Sequence, residues 1–211
     1  MGNRVLAQQE RHGLCDLLLS KGPLQPTLCS GWTATELVAH LFVRERRPFA
    51  APGIVLGGAF GRYTDKVMVR VVKSRGFENL VERVRSGPPL LLRPVDGTMN
   101  LLEYFVHHED LRRGDNTEFE PRDVAAIDEA IWAQTPRRWR LMTRKLNNID
   151  LTLFDPIHGI SHIGGGDRPV TISGPASEIA LYLSGRRGAA SVTIEGDPDA
   201  VDELRNGQLG I

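Results

Sequence analysis

Over residues 1–148 the apolar positions recur with a helical period, and beyond 148 they alternate as strands do. Residues 3–20 predict a helix with Val5, His12, Cys15, Leu18 and Leu19 on one face, ended by Gly22 and Pro23. The connector GPLQPTLCSGW leads to a marked helix start. Thr33-Ala34-Thr35-Glu36 fits a capping box, with Thr33 as N-cap and Glu36 reaching back, and Trp32 and Leu37 hold the hydrophobic-staple positions. The helix ELVAHLFVRERR stops before Pro48. Residues 51–62, APGIVLGGAFGR, read as a glycine-rich apolar loop without GxGxxG or GxxxxGKS/T spacing, so no nucleotide site is expected there. Residues 63–86 predict one or two helices, broken near Ser74-Arg75-Gly76, and Gly87-Pro88-Pro89 interrupts the chain again.

The stretch LLEYFVHHEDLRRG, residues 101–114, predicts a helix of three to four turns. Asn100 suits its cap, Arg112 and Arg113 suit the negative end of the helix dipole, and Gly114 suits the C′ position. Pro121 opens a further helix, RDVAAIDEAIWAQ, and RRWRLMTRKL extends or follows it. LTLF, PVTISG and SVTIEG read as strands, with HGISHIGGGD as a connector between the first two; PASEIALYLSG and DPDAVDELRNG read as helices. The expected architecture is therefore mainly α with an α+β appendage, with one domain over 1–148 and a small β/α domain over 149–211.

Composition narrows the function classes. The chain has 211 residues with 26 basic and 26 acidic side chains, so no net positive field recommends nucleic acid as a partner. No apolar run approaches a membrane span, and MGNRVLAQQERHG lacks the apolar segment of a secretory signal. Cys15 and Cys29 show neither CxxC nor zinc-finger spacing and read as reduced cysteines. A cytoplasmic location is the expectation.

Candidate chemistry lies in the 101–114 helix. Glu103 and His107, four apart, share a face; His108 is turned away by roughly 140° and, with Glu109 and Asp110, points elsewhere. A carboxylate and an imidazole on one face form half of a divalent-metal site, which needs a third ligand from another helix. His40, within the apolar run ELVAHLFV, is the best candidate. Glu36, four residues before His40, is an alternative ligand whose capping role already accounts for it, and His12 is a further candidate. His158 and His162 flank a glycine-rich turn, where four-residue spacing carries little weight. Without a metal, the same residues read as a hydrogen-bonded packing cluster.

GWTATELVAHL followed by LLEYFVHHEDLRRG resembles the metal-binding domain of mycothiol-dependent maleylpyruvate isomerases, within the wider DinB-like four-helix superfamily. HLFVRERRP, residues 40–48, resembles especially an actinobacterial branch of that group, and VTISGPASEIALYLSGR with VTIEGD resembles its small C-terminal domain. The resemblance implies a DinB-like four-helix bundle holding a divalent metal, usually zinc, on His40, Glu103 and His107. It also implies mycothiol as cosubstrate and a small electrophile as substrate, in thiol transfer or isomerisation. Arg44, one turn after His40, is then a candidate for holding a carboxylate of the thiol or substrate, and Asp110 for orienting a ligand. The family commonly has Gly-Trp where this chain has His108-Glu109. Two rival readings share the ligands: hydrolysis by zinc-bound water, with Glu109 or His12 as base, and a non-catalytic metal-binding module.

Overall fold

A computed structural model describes residues 2–46, 58–89, 96–114, 121–146, 148–207 and 209. It divides into two compact units, Met1–Glu120 and Pro121–Ile211. The change of periodicity at 148, where a domain boundary is expected, therefore falls inside the second unit. The reason is packing: a helix of residues 125–133 lies against a helix of residues 176–183.

The first unit holds α1 (Asn3–Lys21), α2 (Ala34–Arg46), α3 (Gly58–Arg75), α4 (Phe77–Arg85) and α5 (Asp96–Arg112). α1 runs along α5 and touches α4, and α2 packs on α3 and α4. Leu14, Leu18, Leu37, Leu41, Leu80, Val84, Tyr104 and Leu111 belong to one buried core.

The buried face of α1 differs from expectation. Val5 and Leu19 are exposed, while Leu6, Ala7, Glu10, Arg11, Leu14, Cys15 and Leu18 are buried. Charged residues can occupy this face because each has a partner. Arg11 Nη1 donates to Glu45 Oε2 (2.8 Å), Tyr104 Oη (2.6 Å) and the Val84 carbonyl (3.1 Å), and Glu10 meets His108.

The break near 74–76 is present. Gly76, at φ +73°, separates α3 from α4 in a conformation that disfavours side chains. α3 starts at Gly58, inside the expected loop, and residues 51–57 of that loop lie outside the described residues. α5 starts at Asp96, so Asn100 is not its cap but a buried interior residue.

The second unit holds α6 (Ala125–Ala133), α7 (Thr135–Met142), β1 (Ile149–Asp155), β2 (Gly159–His162), β3 (Arg168–Ser173), α8 (Ala176–Leu183), β4 (Thr193–Gly196) and α9 (Pro198–Asn206). α6 starts four residues after Pro121, at Ala125. The sheet order is β2-β1-β3-β4, with β1 and β3 parallel and the outer pairs antiparallel. β2 is a strand where a connector is expected, because the short GISH segment pairs with β1 from Thr152 to Asp155. Leu151, Leu153, Val170, Ile172, Ile179, Leu183 and Leu204 are buried in this unit. Among the described residues no helix is long and apolar enough to cross a membrane.

Candidate metal centre

The start of α2 is fixed by its capping box. The Thr33 backbone N–H (2.9 Å) and hydroxyl (2.6 Å) donate to Glu36 Oε2, and Thr35 N–H donates to Thr33 Oγ1 (3.3 Å). Glu36 is thus engaged at the cap and joins no metal-competent group among the described residues. One turn on, His40 is buried between Ala39 and Leu41, with the Trp32 ring 5.2 Å from its own.

On α5, Glu103, His107 and Asp110 form one stripe at i, i+4 and i+7, so Asp110, expected to point elsewhere, shares their face because seven residues make nearly two full turns. Glu103 Oε1 lies 3.1 Å from His40 Nε2 and 3.2 Å from His107 Nε2. The three donor atoms lie within 4.8 Å of one another. Ligand atoms around a tetrahedral zinc, at bond lengths near 2.0–2.2 Å, stand roughly 3.3–3.6 Å apart, so separations of 3.1 and 3.2 Å come close to those around a common metal.

The other ring nitrogen of His107 is fixed. Nδ1 donates to Asp110 Oδ2 at 2.7 Å, and Asp110 is fully buried. A carboxylate can only accept, so Nδ1 carries a proton and the ring is held with Nε2 directed at Glu103. Cys29 Sγ donates to the same Asp110 oxygen at 3.2 Å. The Cys29 loop is anchored by Leu28 N–H donating to the Asp110 carbonyl (3.0 Å). The loop comes so close to the end of α5 that a Cβ on Gly114 would stand 2.3 Å from the Pro26 carbonyl oxygen. Close approach is therefore what requires glycine at 114.

Burial pushes His40 towards its neutral form, and the Glu103 carboxylate only partly opposes this. Burial acts the same way on His107, but the bonds to Asp110, Cys29 and Glu103 outweigh it and hold the imidazole well above its usual range. For Glu103, burial favours the neutral acid, and bonds from His107 and His40 with the Arg44 charge outweigh it, keeping the carboxylate ionised. Protons on the two Nε2 atoms are aimed at one oxygen, and a cation at that point would replace them.

The remaining candidates lie elsewhere. His108 Nδ1 donates to Glu10 Oε2 (3.0 Å), in keeping with its turn away from the site. Glu109 is taken up by Arg112 (2.6 Å) and Arg113 (2.6 Å), and half-buried His12 joins no metal-competent group among the described residues. In the second unit His158 meets Asp155 (3.1 Å) and His162 meets Thr152 (3.0 Å). Arg44 stands with Nε 3.3 Å from Glu103 Oε1, and its Nη1 donates to Asn100 Oδ1. Cys29 and Asn100 are the contributors that sequence reasoning missed; Cys29 is 81 residues from its partner, and no local pattern signals such a contact.

Two helices thus bring together a mixed histidine–carboxylate donor set of the kind that holds a transition metal. No family model and no curated protein matches the sequence. Among solved structures, the chain is similar to the mycothiol-dependent maleylpyruvate isomerase, at TM-score 0.59 and 18% identity, over 92% of this chain and 91% of that one. A histidine-to-alanine variant of that enzyme matches at TM-score 0.55 with the same identity and coverage. At this identity the likeness is one of fold, and it extends over nearly the whole chain.

Proposed function

We propose that the protein is a divalent-metal enzyme of thiol-dependent transfer or isomerisation, with zinc held by His40, Glu103 and His107. The observation that carries this reading is the meeting of three donor atoms from α2 and α5 around Glu103 Oε1. The shared fold with a mycothiol-dependent isomerase adds the expectation of a small thiol, mycothiol or a relative, and of a small electrophilic substrate. The helices of the first unit are read as a DinB-like four-helix bundle, the arrangement in which facing helices supply such ligands.

When bound, zinc would lower the pKa of a coordinating thiol and so supply the nucleophile at neutral pH. The residues of the chain prepare the place. Asp110 holds the Nδ1 proton of His107, which keeps Nε2 directed inwards. Trp32 lies against His40 and shields that side of the ring from water. Arg44 beside Glu103 favours the ionised carboxylate that a cation requires.

The test is elemental mass spectrometry of purified, tag-free protein beside His107→Ala. About one zinc per chain, lost in the variant, supports the site. A turnover assay with small electrophiles, with and without thiol, then separates the reading from hydrolysis, which runs without thiol. No zinc uptake on addition of the metal would leave a polar packing cluster.

A further inference from the structure

The residues Arg44-Glu45-Arg46 close α2, and their three charges go to three different places. Arg46 reaches the end of α4, donating to the Arg83 carbonyl (2.8 Å), Ser86 Oγ (2.9 Å) and the Gly87 carbonyl (2.5 Å). Glu45 is buried and accepts from Arg11 Nη1 (2.8 Å), Tyr104 Oη (2.8 Å) and Asn100 Nδ2 (3.3 Å). Arg44 faces Glu103 with Nε at 3.3 Å and bonds Asn100 through Nη1. Asn100 is therefore a joint: its amide NH2 is held by Glu45, and its oxygen holds Arg44.

We infer that Arg44, steadied by Asn100, is a positioning residue for Glu103, fixing the carboxylate oxygen between His40 and His107. The inference rests on the metal reading and assigns Arg44 a role other than holding the cosubstrate's carboxylate. Glu103 has a long side chain, and its carboxylate is about a quarter exposed, so burial alone does not fix its rotamer. A guanidinium presents Nε and Nη1 in a rigid planar fork and can bond two groups on one helix at once. Here the two groups are Asn100 and Glu103, three residues apart on α5. A lysine ammonium has no such fork. Partners of this kind, behind a metal ligand, typically set affinity by about 10- to 100-fold.

The experiment measures zinc affinity by competition with a chromophoric chelator, in the absence of any thiol. Wild type is compared with Arg44→Met, Arg44→Lys and Asn100→Ala, and the melting of each metal-free protein is followed in parallel. Zinc affinity is expected to fall about 10- to 100-fold in both Arg44 variants and about tenfold in Asn100→Ala, in proteins that still melt cooperatively. If Arg44→Met does not fold, Arg44→Lys and Asn100→Ala carry the test. Wild-type affinity in Arg44→Lys and Asn100→Ala would overturn the positioning role, and would be the result for an arginine that only binds cosubstrate. Wild-type protein that takes up no zinc would overturn the metal reading, and this inference with it.

Discussion

Each unit places histidine beside a carboxylate, and the two pairings differ in where the oxygens are directed. In the second unit Asp155 Oδ1 accepts the backbone N–H groups of Ile157 (2.8 Å) and His158 (2.9 Å), and Oδ2 accepts that of Ala176 (2.7 Å). The carboxylate ties the β1–β2 turn to the first turn of α8, and His158 at 3.1 Å is an accessory. In the first unit Glu103 Oε1 faces, among the described residues, side chains: two imidazoles and a guanidinium. Asp155 thus serves the backbone of its unit, whereas Glu103 gathers the side chains that are proposed to hold the metal.

That contrast can be broken by substitution. The largest effect is expected from His107→Ala, which should lower zinc content from about one per chain to near zero, with an affinity loss above the roughly 100-fold typical of outer partners. Equilibrium dialysis reads it. Asp155→Ala should leave zinc content unchanged and cost about 2–3 kcal/mol in denaturant unfolding, since three backbone donors lose an ionised acceptor. The bonds to His158, Ile157 and Ala176 outweigh burial and hold the Asp155 carboxyl below its ordinary 3.8. Its contribution is therefore complete above pH 3.8 and is lost as pH falls through the lower folded-state value, so the wild-type advantage over Asp155→Ala should vanish on acidification. Asp110→Asn should weaken zinc by about tenfold, because an amide can present a donor to the Nδ1 proton instead of an acceptor. Cys29→Ala should act least, by about 1 kcal/mol or less in stability, as it removes one weak S–H donor.

Legibility followed distance along the chain. The α2 cap, the ends of α1 and the ExxxH stripe of α5 depend on residues within one or two turns, and all were readable. His40 was readable because an imidazole in an apolar run asks for a partner. The helical start of α3 within a glycine-rich stretch was not, and neither was the four-residue strand β2, which exists only by pairing with β1. The apolar stripe of α1 was misplaced because Glu10 and Arg11 look like solvent-facing residues until their partners on α2 and α5 are known. Asn100 looks like a cap in the sequence for the same reason: the residues it joins are 55 and 56 positions away.

Buried Arg11 has a kinetic consequence. Its partners lie 34, 73 and 93 residues along the chain, on α2, α4 and α5. A guanidinium is tolerated in an apolar interior only with acceptors around it, because an unpaired buried charge is strongly disfavoured. Docking of α1 therefore depends on contacts of long sequence separation, the kind associated with slower folding. Arg11→Met would leave Glu45 buried without its cation. One side chain of the nineteen-residue α1 thus bolts it to α2, α4 and α5 at once.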